Sequence, residues 1–263
     1  MTVLRLALWQ GAGVPGDLGA TVAEAERRAA EAAAAGAGLL VLPEGFLTGY
    51  HLPGLAPGDL EGVERALGAV ADAAARHGLA IVVGTHLEAG DGTLLNAAAA
   101  YDRAGRPLGR YAKRALFGPW ERATFAPGTA PLRFDCGGFR VGVAICYDVE
   151  FPELVRGEAR AGCDLVVVPT ALMAPHEHVA RLLVPARAAE NQIFVAYANR
   201  AGSEPGYDYL GLSSIRGPRG EALAEAGAAP AMLVADLDKD LVARARAEAS
   251  YLDDLARLGP TPV

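Results

Sequence analysis

The chain has 263 residues, 52% of them apolar, which is enough to bury a substantial core and suits one large α/β domain over 1–263 better than two small ones. A net charge of −7 without basic clusters excludes the concentrated Lys and Arg of a nucleic-acid surface. No charged-then-apolar leader opens the chain and no apolar run approaches the roughly 20 residues of a bilayer span. The expectation is a cytoplasmic protein that meets no membrane and whose partner is a small molecule or another copy of itself. Cys136, Cys146 and Cys163 are odd in number and lack ligand spacing, which favours neither a disulfide framework nor a zinc site.

In chain order, Leu4 to Trp9 reads as a first strand and Leu18 to Ala35 as an Ala-rich helix ended by Gly36 and Gly38. The continuous apolar run Leu39 to Leu42 is the mark of a strand buried on both faces, and it runs straight into Pro43-Glu44-Gly45. Glu61 to His77 reads as a second helix and Leu79 to Thr85 as the next buried strand. Short strands over Thr93 to Tyr101 and Pro107 to Ala112 then form a hairpin around 102–106. The stretch from Lys113 to Pro131 is long for a structureless segment, which hints at function.

A second hairpin, Leu132 to Phe134 with Phe139 to Ile145, delivers the chain to Cys146. Glu153 to Ala161 and His176 to Glu190 read as helices, Asp164 to Thr170 and Ile193 to Ala198 as buried strands. Ser213 to Arg216, Glu221 to Ala224 and Met232 to Asp236 look like closing strands. A short amphipathic helix over Lys239 to Ala249 precedes an extended arm with Pro260 and Pro262. Two α/β halves of similar make-up imply two sheets packed face to face with helices outside.

Three polar residues stand at the ends of apolar strands: Glu44, Lys113 and Cys146. Each has an ordinary alternative, since loop-edge acids are usually solvated, a lone lysine usually covers surface, and a cysteine closing a strand usually packs as a small hydrophobe. Lys113 stands out because only it and Lys239 are lysines among 24 basic residues, so its compact, movable ammonium is not interchangeable with the guanidinium used elsewhere. Together the three make a chemical device. A thiol needs a base or a nearby cation to act as a nucleophile. Glu44 can supply the base, Lys113 the oxyanion-stabilising charge, and the strand–turn–helix elbow at Cys146 leaves the following backbone N–H free.

Leu42-Pro43-Glu44, Tyr111-Ala112-Lys113 and the run from Ala144 to Glu153 resemble the three signature segments of the nitrilase, or carbon–nitrogen hydrolase, superfamily. The resemblance covers nearly the whole chain and implies an α-β-β-α sandwich that assembles as a homodimer or higher homo-oligomer and needs no cofactor. It implies that Glu44 is the general base, Lys113 the oxyanion cation and Cys146 the nucleophile, with the Tyr147 N–H as second donor. Glu121, followed by Phe125 and Pro127-Gly128, matches the family's second acid, whose role would be to hold Lys113 and the substrate nitrogen. Ala115-Leu116 stands where many relatives have His-Leu.

Val168 to Ala171 resembles a pocket-lining segment, and Tyr147, Trp120, Tyr50 and Ala171 are taken as substrate-binding. Arg187 and Glu190 read as a structural ion pair, Cys136 and Cys163 as structural thiols. His176 and His178, two apart beside Pro175, are poorly spaced for a metal, and none is expected. Tyr147-Asp148 after the cysteine resembles amidase-type members, whereas true nitrilases usually have Trp-Glu there. The expected reaction is hydrolysis of a small aliphatic amide to acid and ammonia through a cysteine thioester. The alternatives are nitrile hydrolysis, N-carbamoyl amino-acid hydrolysis, or a catalytically silent binding protein.

Overall fold

Apolar runs without polar alternation can be satisfied only by burial on both faces, and the strands of this chain are buried so. In the computed structural model, which describes residues 2–14 and 16–259, Leu39 and Val41 face a core between two sheets while Leu40 and Leu42 face an outer core beneath helices. Leu165 and Val167 point into the same inner core, with Val166 and Val168 outward under the opposite helices. This period-2 division of a continuous apolar run produces a four-layer sandwich.

The first sheet contains β1 (Val3–Gln10), β2 (Leu39–Val41), β3 (Ala80–Glu88), β4 (Leu94–Tyr101) and β5 (Pro107–Ala112). The second contains β6 (Arg133–Cys136), β7 (Phe139–Val143), β8 (Leu165–Thr170) and β9 (Phe194–Asn199). After a separate hairpin, β10 (Ala201–Glu204) with β11 (Tyr207–Leu210), come β12 (Ser214–Arg216) and β13 (Ala222–Glu225), then β14 (Ala231–Asp238). The sheet orders are β14-β1-β2-β3-β4-β5 and β13-β12-β9-β8-β7-β6. Each has a parallel centre, β1-β2-β3 and β7-β8-β9, flanked by antiparallel strands. The final strand β14 returns to the first sheet and pairs with β1 along its whole length.

Helices α1 (Leu18–Ala34) and α2 (Val63–His77) cover the first sheet through small side chains such as Ala25, Ala29, Ala73 and Ala74. Asp17 caps α1 by accepting from the Ala20 N–H at 2.8 Å. After α3 (Gly118–Thr124), helices α4 (Pro152–Arg160) and α5 (Val184–Asn191) cover the second sheet. The α-β-β-α sandwich is thus the architecture of the chain. α6 (Asp240–Glu248) and α7 (Tyr251–Leu258) follow β14.

Four local differences from the sequence reading have physical causes. The stretch after Lys113 carries α3, whose Gly118-Pro119 opening looks like a loop but puts Pro at the first turn, where its missing N–H costs nothing. The hairpin β10–β11 went unread because its Gly, Ser and Pro content masks short strands. The helix read from His176 begins as a π-helical turn, Val179–Leu183, ahead of α5; Pro185 cannot supply the regular backbone donor there. Residues read as part of an extended tail form α7 as far as Leu258, while Pro260 and Pro262 lie outside the described residues.

The loop bearing Glu44 lies directly on β3. A Cβ at Gly84 would fall on the Pro43 carbonyl oxygen and within 2.6 Å of the Glu44 Cα. Only a residue without a side chain lets the two backbones approach this closely. Gly84→Ala is therefore expected to destabilise the protein by about 1–3 kcal/mol and to push Glu44 out of place. A denaturation curve with a lowered midpoint, accompanied by lost activity, checks this; a variant of wild-type stability would contradict it.

Candidate active site

Strand β7 ends in a turn that no ordinary residue adopts cheaply. Cys146 has φ of 46°, in the left-handed region, and such strain in a non-glycine residue persists only where the surroundings hold it. The 3-10 turn Cys146–Glu150 follows and leads into α4. The Asp148 carboxylate secures the turn: Oδ2 accepts from the Ile145 N–H at 2.9 Å and the Tyr111 hydroxyl at 2.8 Å, and Oδ1 from the Ala115 N–H at 2.7 Å. One buried side chain therefore joins the cysteine elbow to the backbone just after Lys113 and to the Tyr111 hydroxyl on β5. The Tyr147 N–H sits at the start of the turn, where helical geometry provides no internal acceptor.

Lys113 follows β5 and is wholly buried, as are Glu44 and Glu121. Its Nζ donates to Glu44 Oε1 and to Glu121 Oε1, each at 2.7 Å. Asn96 on β4 adds a donor to the same two oxygens, at 2.8 and 3.3 Å. Glu121 is held further by the Tyr50 hydroxyl at 2.9 Å and the Phe117 N–H at 2.6 Å. By contrast, Glu44 Oε2 is buried without a partner. That leaves Oε2, unlike either oxygen of Glu121, without a protein donor and so able to accept a proton.

The electrostatics follow from burial. Desolvation raises the Glu44 carboxyl above the ordinary range, helped by Glu121 and opposed by Lys113. Lys113 is raised because its two carboxylate partners outweigh the cost of burying the ammonium. The Cys146 thiol is raised well above its usual value by desolvation and the Glu44 charge, against the pull of Lys113 and the Ala171 N–H. A thiol raised in this way needs a proton acceptor close by before it can attack as a nucleophile.

Cys146 opens into a narrow cleft lined by Tyr50, Phe117, Tyr147, Glu150, Ala171 and Met173 among others. A roomier depression beside α1, touching Leu47 and Asp59, contains none of the reactive groups. The structure thus brings Glu44, Lys113, Glu121 and Cys146 into one neighbourhood and places Tyr50, Tyr147 and Ala171 on the cavity wall. Trp120 stands one layer back, edge-on to Tyr50 at 5.6 Å and to Phe125 at 5.4 Å. Arg187 and Glu190 pair at 2.9 Å outside the reactive cluster. Among the described residues no three His, Cys, Asp or Glu side chains group as a metal site, and no helix is long and apolar enough to cross a membrane.

Sequence reasoning missed three contributors. Asn96 could have been noticed as a lone amide in an otherwise apolar buried strand. Asp148 lies within the signature run 144–153, where the sequence alone gives it no role of its own. Arg200, fully buried after β9, donates to the Glu44 and Gly45 carbonyls at 3.2 and 3.0 Å and pairs with Glu204. Glu204 in turn accepts from the Tyr50 and His51 N–H groups and the Tyr209 hydroxyl. The β10–β11 hairpin is the strap by which the Glu44 loop is held.

A thiol at a strained strand end, a buried ammonium and a carboxylate with one unpaired oxygen lie together here, in a chain whose fold is that of a hydrolase. The chain belongs to the carbon–nitrogen hydrolase family, whose model matches residues 5–247, and within this nitrilase superfamily to the amidase-like branch. It is 39% identical over 257 residues to the "hydrolase in pqqF 5'region" of Pseudomonas protegens, covering 95% of this chain and 88% of that one. It is 35% identical to an (R)-stereoselective amidase of Pseudomonas sp., over 82% of this chain and 78% of the relative. The crystal structure of an amidase from Nesterenkonia sp. superimposes with a TM-score of 0.84 at 38% identity, covering 94% of this chain and 95% of that one. In a glutamate variant of the Nesterenkonia sp. AN1 amidase (TM-score 0.84, 37% identity, 98% and 97% coverage), the acetamide moiety of fluoroacetamide is bound covalently to the active-site cysteine.

Behind Trp120 lies His86, fully buried on β3, 4.8 Å from the Phe125 ring and in contact with the Thr48 hydroxyl at 3.3 Å. Burial, with Arg200 and Lys113 nearby, pushes its imidazole down to about 3. Between that value and the ordinary 6.5 the unfolded chain binds a proton that the native state refuses, so stability rises with pH. The contribution is full above about 6.5 and is lost as pH falls towards 3, with an upper bound on the order of 5 kcal/mol. Denaturant titrations across this range should show His86→Gln losing about one proton's worth of slope; an unchanged slope would refute the assignment.

Proposed function

We propose that the protein is an amidase that converts a small aliphatic amide to its carboxylic acid and ammonia through a thioester on Cys146. The observation that carries this reading is the unpaired Oε2 of Glu44, buried on the carboxylate that Lys113 and Asn96 hold by its other oxygen. A raised carboxyl beside a raised thiol is matched for proton transfer during attack, in place of a preformed thiolate.

In the proposed cycle Glu44 takes the thiol proton as Cys146 sulfur bonds to the amide carbon. The oxyanion is met by the Lys113 ammonium and the Tyr147 N–H, fixed charge and dipole in a dry site. Glu44 returns the proton to the nitrogen, the C–N bond breaks and ammonia leaves. Water then gives its proton to the same carboxylate, attacks the thioester and frees the acid and the thiol. Glu121 keeps Lys113 aimed and supplies an acceptor towards the substrate nitrogen. Tyr50, Tyr147 and Ala171 shape the acyl pocket, and Trp120 supports Tyr50 from behind. The covalent cysteine adduct of the Nesterenkonia amidase supports this course. A cytoplasmic homo-oligomer fits the reading, on the strength of the family resemblance.

Three measurements test the proposal. Cys146→Ala should yield no acyl adduct by mass spectrometry after incubation with substrate; an adduct on that variant would sink the nucleophile assignment. Lys113→Met should lower turnover at least about 10²-fold and destabilise the fold by about 3–5 kcal/mol, because two buried carboxylates are left facing each other. Ammonia release should be faster from propionamide than from propionitrile, and the reverse order would favour a nitrilase.

A further inference from the structure

Beyond the reacting atoms, the acyl pocket carries a charge that the proposed cycle does not use. Glu150 closes the 3-10 turn that begins at Cys146, lines the cavity beside it, and is partly buried. Its backbone is fixed: Arg187 Nη2 donates to the Glu150 carbonyl at 2.8 Å and Nε to the Val149 carbonyl at 2.9 Å. The remaining arm of that guanidinium is taken by Glu190. No protein group among the described residues donates a hydrogen bond to the Glu150 carboxylate, so it is available to whatever occupies the pocket.

The cations near the cavity are already engaged. Lys113 is shared by two carboxylates and Arg187 is spent on two carbonyls and Glu190. Glu44, Glu121 and Glu150 thus face a single ammonium, and the rest of the wall is largely aromatic or apolar: Tyr50, Phe117, Leu172 and Met173, with His176 edge-on to Phe117. Burial raises the Glu150 carboxyl, with His178, Lys113 and Arg187 opposing. A substrate carboxylate entering here would be desolvated, would meet the Glu150 charge and would find Lys113 and Arg187 already engaged, leaving only the imidazoles of His176 and His178 nearby, a combination that disfavours it.

We infer that Glu150 sets the acyl-group specificity: the pocket accepts short amides whose acyl chain is uncharged or ends in an ammonium group, and rejects those whose chain ends in a carboxylate. This rests on the amidase reading and names the substrate class for it. It also sets N-carbamoyl amino acids, which bear a carboxylate, outside the range of the enzyme.

Three amides of matched length test the inference: butyramide, succinamate with a carboxylate in place of the terminal methyl, and β-alaninamide with an ammonium there. The wild-type kcat/KM for succinamate should lie at least about 100-fold below that for β-alaninamide, with butyramide above succinamate. Glu150→Gln, which keeps the shape and removes the charge, should raise the succinamate-to-butyramide ratio at least about tenfold and lower the β-alaninamide-to-butyramide ratio. Unchanged ratios in a folded Glu150→Gln protein would overturn the proposal, and Glu150→Ala serves if the first variant does not fold. A second readout needs no turnover: mass spectrometry of Cys146 alkylation by iodoacetamide against iodoacetate. Removing the Glu150 charge should shift this preference towards iodoacetate, and an unaltered preference would also overturn the role of Glu150. Wild-type protein that hydrolyses none of the amides would defeat the amidase reading, while the labelling ratio would still decide the charge on the pocket.

Discussion

The site depends on one buried ammonium. Lys113 has no solvent contact, and neither do the two carboxylates that flank it at 2.7 Å. Placing three charges where water cannot reach them is costly, and their attraction offsets that cost only because geometry and supporting donors are good. Asn96, Tyr50 and the Phe117 N–H provide those donors. The arrangement is asymmetric in a useful way. Glu121 is supplied with donors on both oxygens, while Glu44 is bonded through Oε1 alone and keeps Oε2 bare. The difference suits one acid to holding and the other to accepting and returning a proton.

Such a cluster needs its members delivered from different parts of the chain with little freedom to adjust. Glu44 follows β2, Lys113 follows β5 and Cys146 follows β7, so two sheets contribute. Two devices connect them. Asp148 bonds to the backbone just before Cys146 and just after Lys113, which ties the second sheet's elbow to the first sheet's last strand. Arg200, arriving from β9, binds the carbonyls of Glu44 and Gly45. The close contact of Gly84 with the same loop sets its height above the sheet. Displacement of any of these segments would be felt at the carboxylate because packed interiors adjust only in discrete steps.

Much of this was legible in the residues. Continuous apolar runs over 39–42 and 165–168 mark doubly buried strands, and polar residues at the ends of such runs mark Glu44 and Cys146. The rarity of lysine in an Arg-rich chain points to Lys113. What stayed hidden depends on long-range partners. Nothing local says that Asn96 reaches two carboxylates, that Arg200 grips a loop 155 residues earlier, or that β14 crosses back to pair with β1. Short elements rich in Gly and Pro, such as α3 and the β10–β11 hairpin, lack enough periodicity to be recognised and owe their form to what they pack against. Trp120 shows the same limit from the other side: an aromatic ring in the right loop was expected to touch substrate, yet its ring packs behind Tyr50.

In the proposed site, the elbow joins catalysis and selectivity in five consecutive residues. Cys146 carries the thiol, Tyr147 an N–H and an aromatic wall, Asp148 the clamp, Val149 a buried anchor under α4 and α5, and Glu150 a charge beside the cavity. Because Arg187 binds the carbonyls of both Val149 and Glu150, the far end of this turn is as firmly held as the near end. A charge carried on the same rigid turn as Cys146 stays near the path of an incoming acyl chain, and partial burial weakens its screening. On the proposed reading, burial and surrounding carboxylates, which make the thiol hard to ionise, also limit which acyl groups reach it.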